Sequence, residues 1–507
     1  MSDNLFETLY AGFEPRLDEP FLRPQSGPAW SYRDVVARSG RLAGALRRAG
    51  ATVGDRVVIQ VDKSPDAIAT YLACLRIGAV YMPLNVAYTA DEIGYYLGDA
   101  APTTFVCRPA NEARLASVAT AHDVRTVLTL DSDGGGTLLR EAEHGSPFDD
   151  VVPRTTSDLA AMLYTSGTTG KPKGAMITHE NLATNARALY ETWGWQPEDV
   201  LLHALPVFHV HGLFVALHCA MLGGSAVEFL PRFEPTAVRA ALARSSVMMG
   251  VPTFYSRLLA EPAFDREECT GIRLFISGSA PLPETVFRAF VERTGHTVLE
   301  RYGMTETGIL TSNPLDGARI GGTVGFPLPG VETRVVRDDG RPSAPGETGS
   351  VEVRGPGVFA GYWNNPEKTK AEMRDDGFFR TGDLGTQAAD GRIALVGRSS
   401  DMIISCGYNV YPKEIELCLD ELPGVVESAV VGLPHPDFGE AVSAFVVCGA
   451  TKPGAAQLLA GMEGRLARFK HPKRIFFVDS LPRNAMGKVQ KAVLRTENAA
   501  AFASEEG

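Results

Sequence analysis

The chain has 507 residues, of which 60 are acidic and 49 are basic, so its formal net charge is −11. This balance excludes a broad nucleic-acid-binding surface and gives no support for docking on an anionic membrane. A hydrophobic content of 44% is typical of a globular protein, and the length predicts two or more domains.

Strands and helices alternate through the first three hundred residues. A helix at 65–77, with a proline at its start, lies between strands at 55–60 and 78–83. Further strands are predicted at 159–163, 201–205, 225–230, 247–249, 272–276 and 297–299, and further helices at 213–222, 235–244 and 284–293. This alternation predicts an α/β fold, with mostly parallel sheets covered by helices.

The pattern changes after about Gly322. Segments 333–337 and 349–354 flank the turn Asp338-Asp-Gly-Arg-Pro342, and they predict an antiparallel hairpin system. A last strand is predicted to begin at Gly391.

The final hundred residues read as a compact α+β unit. Its predicted helices and strands lie at 411–422, 425–431, 441–447 and 455–467. We therefore expect an N-terminal domain at 1–397, a hinge at 398–401 and a C-terminal domain at 402–507.

One loop has the composition of a phosphate-binding site. It runs from Thr165 to Gly174, directly after an apolar strand, and reads Thr-Ser-Gly-Thr-Thr-Gly-Lys-Pro-Lys-Gly. Its glycines let backbone N–H groups converge on a ligand, while hydroxyl and ammonium groups add donors that no acidic residue opposes. The spacing does not match the common P-loop, so we expect a different polyanion-binding loop; a flexible surface turn is the alternative.

Two stretches that follow predicted strands suit a nucleotide. Small residues in Ile276-Ser-Gly-Ser-Ala-Pro-Leu282 leave room for a flat ring such as a purine, although a tight turn also explains them. In Glu300-Arg-Tyr-Gly-Met-Thr-Glu-Thr307, Glu306 is a candidate Mg²⁺ ligand, because a carboxylate beside phosphates needs a cation between them. The alternative for Glu306 is a solvated surface residue.

Two later residues are candidates for contacts to the same ligand. Asp383, in Phe379-Arg-Thr-Gly-Asp-Leu384, is able to accept hydrogen bonds from both hydroxyls of a ribose, or to form an Asx turn. Lys488 follows Gly487 in a loop of the C-terminal unit. It is either a mobile positive charge for the site or a solubilising lysine.

The sequence also predicts a compartment. The N-terminus has no basic patch followed by an apolar segment, so no secretory signal is expected, and the apolar stretch at 213–222 is too short to span a membrane. Seven scattered cysteines without Cys-x-x-Cys spacing argue against a disulfide framework or a zinc site. A reducing cytoplasm is therefore expected.

Together the motifs resemble those of the acyl- and aryl-CoA synthetases, which belong to the adenylate-forming superfamily. The motifs that carry the resemblance occur in order along nearly the whole chain: Thr165 to Gly174, Tyr302-Gly-Met-Thr-Glu306, Arg380-Thr-Gly-Asp383, Gly397-Arg398 with Asp401, and Pro482 through Gly487-Lys488. The resemblance implies two helix-covered sheets and a distorted β-barrel in the large domain, with a small mobile C-terminal domain. It also implies an AMP-forming acid–thiol ligase that uses ATP, Mg²⁺ and coenzyme A.

The resemblance assigns most of the site to ATP. It places the β- and γ-phosphates on the loop residues Thr165, Ser166, Gly167, Thr168, Thr169, Gly170 and Lys173. It places the adenine and ribose on Ser279, Ala280, Pro281, Tyr302 and Asp383, with Arg398 beside the ribose. Catalysis falls to Thr305 at the α-phosphate, Glu306 on Mg²⁺, and Lys488 between the substrate oxygen and the α-phosphate.

Members of this family rotate the small domain between two steps, adenylate formation and thioester formation. Gly407 resembles the glycine that lines the tunnel for the pantetheine of coenzyme A. Ser400 stands where relatives pivot, often on Asp or Lys, and Cys406 stands where close relatives tend to have Gly. Both are departures that bear on the hinge and not on the reaction.

The acid substrate is predicted from residues around the expected pocket. Arg232 directly follows a predicted buried strand, where a guanidinium is able to bind a second carboxylate through two hydrogen bonds. Arg273, Met304 and His209 are further candidates, and His209 resembles the gate between the nucleotide and the tunnel. Phe208-His-Val-His-Gly-Leu213, Pro231-Arg-Phe233 and the block from Arg301 to Glu306 are similar to malonate-activating members of the family. We expect malonate, with methylmalonate also accepted; a surface ion pair is the alternative for Arg232.

Other functions stay open at this point. A short- or medium-chain monocarboxylate–CoA ligase, an adenylation enzyme that loads a separate carrier protein, and a non-catalytic nucleotide-binding protein are the alternatives. The chain ends 19 residues after Lys488 (507 − 488), so we expect no fused carrier domain.

Overall fold

The described residues form four β-sheets, with helices between many of the strands. The computed structural model describes residues 3–165, 172–405, 408–484 and 487–502. Its strands are β1 (Pro20–Pro24), β2 (Trp30–Ser31), β3 (Arg56–Gln60), β4 (Val80–Pro83), β5 (Thr104–Cys107), β6 (Thr126–Thr129), β7 (Leu159–Thr165), β8 (Lys173–Thr178), β9 (Val200–His203), β10 (Ala226–Phe229), β11 (Val247–Gly250), β12 (Leu274–Ser277), β13 (Leu299–Met304), β14 (Gly308–Ser312), β15 (Phe326–Pro327), β16 (Glu332–Val336), β17 (Gly349–Arg354), β18 (Gly361–Tyr362), β19 (Phe379–Gln387), β20 (Ile393–Arg398), β21 (Ile403–Ser405), β22 (Tyr408–Val410), β23 (Val425–His435), β24 (Gly439–Cys448) and β25 (Arg474–Phe477).

The helices occur mainly between the strands of the first three hundred residues. The α-helices are α1 (Leu5–Phe13), α2 (Tyr32–Arg48), α3 (Pro65–Ile77), α4 (Ala90–Ala100), α5 (Glu112–Ala121), α6 (Thr137–His144), α7 (His179–Thr192), α8 (His218–Gly223), α9 (Pro235–Leu242), α10 (Pro252–Leu259), α11 (Glu284–Thr294), α12 (Pro366–Glu372), α13 (Pro412–Asp420), α14 (Ala455–Met462) and α15 (Lys491–Glu497). A π-helical segment, His211–Leu217, runs directly into α8. Short 3₁₀ turns lie at Glu14–Arg16, Pro109–Asn111, Ser399–Asp401 and Arg468–Lys470.

Two large sheets confirm the predicted parallel architecture. The first has the strand order β15-β14-β13-β12-β11-β9-β10-β1-β2, and it is parallel from β13 to β1. The second has the order β18-β8-β7-β4-β3-β5-β6, and it is parallel from β7 to β6. Antiparallel strands flank the first sheet on both sides and the second sheet on one side. In such open α/β sheets, ligands bind at the carboxyl ends of the parallel strands.

Helix α3 shows how the layers are packed. Ser64 caps its first turn, Pro65 fits the first helical position, and Gly78 ends it in the left-handed conformation with φ of 69°. Every residue from Asp66 to Ile77 is buried. A helix that is buried all round belongs between layers, and α3 joins the hydrophobic core that both sheets share.

A four-stranded antiparallel sheet, β16-β17-β19-β20, follows in the region where the distorted barrel was expected. Its inner face shares one core with the end of the first sheet, through residues such as Leu310, Val335, Val353 and Phe379. The sheet therefore places β19 and β20 against the carboxyl end of β13.

The C-terminal unit has its own sheet and two cores. Strands β22, β21, β24 and β23 are adjacent in that order, and β25 pairs with β24. Helix α14 ends at Met462, earlier than predicted, because Gly464 adopts φ of 73° and breaks the helical path. The large α/β domain with a smaller C-terminal domain is confirmed, whereas the hinge at 398–401 stays a prediction. Within the described ranges, no helix is long and apolar enough to cross a membrane.

Candidate active site

Four parallel strands of the first sheet end at one edge. The segments that follow β9, β11, β12 and β13 carry His209, Thr253, Ser279 and Thr305, respectively. Carboxyl ends of parallel strands meet at one edge of a sheet, which is where open α/β sheets bind ligands. The topology therefore brings together side chains that lie up to a hundred residues apart in sequence.

The predicted ribose residue lies in a charged cluster. Asp383 is 6% exposed; its Oδ2 accepts a hydrogen bond from the Tyr302 hydroxyl, and its Oδ1 lies 2.9 Å from Arg398 Nε. Arg398 also donates to the carbonyl of Thr381 at 3.0 Å. Burial raises the pKa of Asp383, and the Arg398 charge opposes that shift. Tyr302, Asp383 and Arg398 are thus brought together as predicted for one nucleotide site.

The predicted adenine turn is tightly shaped. Ser279 has φ of 71°, a conformation that is uncommon for a residue with a side chain, and its Oγ lies 3.2 Å from His211 Nδ1. The backbone N–H of Leu282 donates to Glu300 Oε1 at 2.9 Å, which anchors the far end of the turn. Ala280 is half-buried and Pro281 is exposed, so this turn offers a partly open apolar edge.

The phosphate-binding loop is described at its two ends only. Strands β7 and β8 pair antiparallel, with Thr165 opposite Lys173, so these two residues lie side by side at the described ends of the loop. Ser166, Gly167, Thr168, Thr169 and Gly170 lie outside the described residues. The Lys173 ammonium lies 5.7 Å from the centre of the Tyr362 ring.

Glu306 lies beside the stem of that loop. Its Oε1 accepts hydrogen bonds from Thr165 Oγ1 at 3.2 Å and from the Tyr362 hydroxyl at 3.1 Å, and the residue is 5% exposed. Burial raises the pKa of this carboxylate. No group of three or more metal-ligating side chains is found in the described ranges. A single buried carboxylate still fits Mg²⁺, which proteins usually hold through one or two carboxylates together with substrate phosphates.

Lys488, in the C-terminal unit, interacts with the charges of Asp383 and Arg398. Lys488 is exposed as a residue, but partial desolvation of its ammonium group, followed by the charge of Arg398, lowers its pKa, whereas Asp383 and Asp401 raise it. The backbone N–H of Lys488 donates to Asn484 Oδ1 at 3.0 Å, which shapes the loop. A Cβ on the preceding Gly487 would lie 2.8 Å from Thr253 Oγ1, so this loop is in contact with the large domain.

Two predicted substrate-binding residues, Arg232 and Arg273, form ion pairs in the structure. The Arg232 side chain is 79% exposed and pairs with Glu234 at 2.9 Å, because the chain turns outward after β10. Arg273 precedes β12, so it lies at the edge opposite the site. There it pairs with Asp199 at 2.5 Å and donates to the carbonyl of Trp193. His209 and Met304 are half-buried at the strand ends, where they were predicted.

Arg301, which was not predicted as a site residue, lies beside the predicted adenine turn. It is 4% exposed, and its Nε and Nη2 have no hydrogen-bond partner within the described part of the chain. The guanidinium lies directly over Gly278, where a Cβ would approach Cζ to 2.4 Å. Burial lowers the pKa of Arg301 to about 10, so the side chain stays charged at neutral pH.

Neutral histidines surround this guanidinium. Burial, and secondly the Arg301 charge, lowers the pKa of His209 to about 4 and that of His211 well below its usual range. Nε2 of His211 is buried and has no partner among the described residues. An unpaired buried cation beside neutral imidazoles favours an anionic ligand.

Lys63 and His203 form a hydrogen-bonded pair, and burial lowers the pKa of both side chains well below their usual ranges. His203 Nε2 lies 2.8 Å from the carbonyl of Gly212, so this nitrogen must be the donor. Lys63 Nζ contacts His203 Nδ1 at 2.6 Å and the carbonyls of His203 and Leu230 at 2.8 and 2.6 Å. These contacts are satisfied either by a charged Lys63 that donates to a neutral His203 or by a charged His203 that donates to a neutral Lys63. Each arrangement leaves one positive charge on the Lys63–His203 pair.

Family models match most of the chain. The model described as AMP-binding enzyme matches residues 14–363, and the AMP-binding enzyme C-terminal domain matches residues 414–488. The chain belongs to the AMP-binding enzyme family. The predicted membership of the adenylate-forming superfamily is thereby confirmed.

Solved structures resemble this AMP-binding enzyme over its whole length. ATP-bound MatB from Rhodopseudomonas palustris is 49% identical, with a TM-score of 0.96 over 99% of this chain and 100% of that chain. Apo MatB from the same organism matches with a TM-score of 0.85 over the same shares. The overall arrangement of this chain is therefore closer to that ATP-bound structure than to the apo structure.

Curated relatives of the AMP-binding enzyme act on different acids. A malonate–CoA ligase of Arabidopsis thaliana is 35% identical over 498 residues, which covers 91% of this chain and 81% of that protein. An indoleacetate–CoA ligase of Aromatoleum aromaticum is 36% identical over 476 residues, which covers 92% of each. Overall identity therefore does not discriminate between a small dicarboxylate and an aromatic acid.

Several predictions for the AMP-binding enzyme are not tested by the structure. Gly407 and Cys406 lie outside the described residues. Ser400 lies in the 3₁₀ turn Ser399–Asp401, and nothing in the structure tests its role as a pivot. The sequence did contain a signal for Arg301. Glu300 and Arg301 are charged residues within the buried strand β13, and charged residues are rarely buried without a functional or structural reason.

Proposed function

We propose that this AMP-binding enzyme joins malonate, and also methylmalonate, to coenzyme A with ATP and Mg²⁺ as cofactors. In the first step a malonate oxygen bonds to the α-phosphorus of ATP, and the bond to pyrophosphate breaks. In the second step the sulfur of coenzyme A bonds to the carbonyl carbon, AMP leaves, and the thiol proton passes to solvent. The products are malonyl-CoA, AMP and pyrophosphate.

The observation that carries malonate is the buried guanidinium of Arg301, two of whose nitrogens have no hydrogen-bond partner among the described residues. A monocarboxylate presents its only charge to the reacting phosphate, which leaves such a cation without a partner. The second carboxylate of malonate is able to accept two hydrogen bonds from Nε and Nη2. The positive charge on the Lys63–His203 pair adds to the attraction for a dianion.

The nucleotide residues serve the first step by neutralising charge. When bound, Mg²⁺ would supply charge neutralisation on the phosphates, and Glu306 would hold it. Thr165 and Lys173 stand at the ends of the phosphate-binding loop, and Asp383 is the ribose acceptor. Lys488 carries its ammonium group to the meeting point of the attacking oxygen and the α-phosphate. Preorganised donors of this kind typically contribute about 10²–10³ to the rate.

A cytoplasmic location is part of the same proposal. The cysteines in the described ranges are free: Cys74, Cys107, Cys219, Cys269, Cys418 and Cys448. Free thiols fit a reducing compartment.

The test of the substrate is a panel of acids. Thioester formation is measured with acetate, butyrate, benzoate, malonate and methylmalonate, alongside ATP–pyrophosphate exchange. Malonate is expected to be the preferred acid, and a preference for a monocarboxylate would contradict the proposal. Malonate-dependent exchange without thioester formation would contradict coenzyme A as the acceptor.

The role of Arg301 in binding malonate is tested with Arg301→Gln, and Arg232→Gln is the matched control. Loss of a charged hydrogen bond worth about 1.5–3 kcal/mol is expected to lower kcat/KM for malonate by roughly 10–100-fold. KM for ATP should stay constant, and Arg232→Gln should leave malonate kinetics unchanged. Equal malonate kinetics in Arg301→Gln and in the unmodified enzyme would contradict the assignment.

A further inference from the structure

The phosphate-binding loop emerges from a hairpin whose two ends are fixed. Strand β7 ends at Thr165, β8 begins at Lys173, and Tyr164 lies opposite Gly174 in the register. The loop between them is outside the described residues, but the residues of its stem are described. What holds that stem therefore sets where the loop begins and ends.

The last turns of α4 hold both ends of the stem. The Tyr164 hydroxyl donates to Asp99 Oδ2 at 2.5 Å, and the Tyr95 hydroxyl donates to the carbonyl of Pro172 at 2.6 Å. Tyr95 and Asp99 are four residues apart, so they lie on the same face of the helix. Burial, together with the Asp99 carboxylate, raises the pKa of Tyr164 far above its ordinary value, which keeps the phenol a donor.

The backbone of the same helix end is also used. The Asp99 carbonyl accepts hydrogen bonds from Trp363 Nε1 at 3.0 Å and from Asn364 Nδ2 at 3.2 Å. Carbonyls in the last turn of a helix lack intrahelical partners, so these contacts fix the helix end. The backbone N–H of Trp363 in turn donates to the carbonyl of Gly174 at 2.7 Å. We call Tyr95, Asp99 and Trp363 the α4 brace.

The α4 brace continues to the predicted metal ligand. Trp363 follows Tyr362, whose hydroxyl lies 3.1 Å from Glu306 Oε1, and Glu306 also receives the Thr165 hydroxyl. One short segment therefore links Glu306 to the same stem that α4 holds. The contacts of Arg301 and His209 on the acid side involve none of these residues.

We propose that Tyr95 and Asp99 are positioning residues for the phosphates of ATP, because they fix Tyr164 and Pro172, the direct neighbours of Thr165 and Lys173. Thr165 and Lys173 are the described residues that are predicted to contact these phosphates. Donors that are held in place before the ligand arrives lose less conformational freedom on binding, which strengthens ATP binding. The inference rests on the use of ATP, and not on malonate, so the two proposals fail independently.

The experiment compares substitutions that remove a hydrogen bond of the α4 brace with one that keeps the acceptor at position 99. Tyr95→Phe removes one hydroxyl, Asp99→Ala removes the acceptor, and Asp99→Asn keeps an acceptor for Tyr164. Tyr88→Phe is the matched control, because the Tyr88 ring packs on Tyr96 in the same cluster, at 5.0 Å between ring centres. ATP–pyrophosphate exchange is measured while ATP and the preferred acid of the panel are varied in turn.

Each lost hydrogen bond, worth about 1–1.5 kcal/mol, is expected to raise KM for ATP by roughly five- to tenfold. KM for the acid should not change, and Asp99→Asn should restore most of the ATP affinity that Asp99→Ala loses. Parallel increases in both KM values, or an unchanged KM for ATP in Tyr95→Phe, would overturn the proposal. Tyr95→Phe decides the question alone if Asp99→Ala does not fold.

Discussion

His179 is a buried, neutral acceptor where the N-terminus joins the large domain. Its Nδ1 accepts a hydrogen bond from the backbone N–H of Leu5 at 3.0 Å, and the residue is 1% exposed. Burial lowers the pKa of His179 to about 4, and the Arg154 charge adds to that shift. Protonation of this imidazole therefore opposes the native contact.

This residue predicts an acid sensitivity of defined sign. An unfolded histidine titrates near 6.5, so between pH 6.5 and 4 the unfolded chain binds a proton that the native state does not. The stability that His179 contributes is complete above about pH 6.5 and falls by up to about 3 kcal/mol as the pH approaches 4. His179→Gln keeps an acceptor but does not titrate there.

Calorimetry of the two proteins checks this. The melting temperature of the unmodified protein minus that of His179→Gln is expected to decrease as the pH is lowered from 7.5 to 5. His144→Gln, at an exposed position, controls for the removal of one imidazole. Parallel curves of melting temperature against pH for the unmodified protein and His179→Gln would refute the prediction.

Arg232 and Arg301 show what sequence is able to predict at this scale. Arg232 follows a buried strand and Arg301 lies within one, and their spacing along the chain does not show which of them lines the site. The difference is three-dimensional: the chain turns outward at Arg232, whereas Gly278 on the neighbouring strand end makes room for the Arg301 guanidinium. The glycine was visible in the sequence, but its pairing with Arg301 required the sheet register.

At the scale of elements, one carboxylate organises the antiparallel sheet. Glu352 in β17 is fully buried, and it lies 2.8 Å from Arg334 Nη2 and 2.6 Å from Arg374 Nη2, with Arg380 at 4.0 Å. Arg380 begins the motif that contains Asp383. The central strand thus couples the stability of the sheet to the position of the ribose residue.

Glu352→Gln is expected to destabilise the large domain. Breaking a buried pair costs about 3–5 kcal/mol, but these arginines are partly exposed and able to reach water, so about 2 kcal/mol is expected. Glu347→Gln, at the exposed pair with Arg337, is the matched control and should lower the melting temperature much less. Thermal unfolding compares them, and equal shifts in melting temperature would contradict the role of Glu352.

Elements were predicted well where periodicity or alternation was strong. The strands around α3 agree with the sequence because apolar runs alternate there with a capped helix. The predicted helix at 213–222 is instead a π-helical segment that continues into α8. Hydrophobic pattern alone does not distinguish the two, since each residue of this segment is buried.

For the whole molecule, the two domains and their family were predictable, but their contact was not. Arg288 in α11 lies 3.9 Å from Glu421, and the loop of Lys488 rests on Thr253. The segment between β20 and β21 is short and carries no periodic pattern that fixes an orientation. Relative placement of domains depends on such sparse contacts, which sequence patterns do not encode.

Gly487 tests this contact, because its φ of 72° and its distance from Thr253 both disfavour a side chain. Gly487→Ala is expected to disturb the docked position of Lys488 and to slow ATP–pyrophosphate exchange by at least about tenfold, since left-handed backbone costs a non-glycine residue about 1–2 kcal/mol before any clash. Thioester formation from a supplied acyl-adenylate does not need the docked lysine, so it should change much less. Adding Thr253→Ala removes the clash and is expected to restore part of the exchange rate. Equal losses in both half-reactions, with no gain from Thr253→Ala, would show that the contact does not position Lys488.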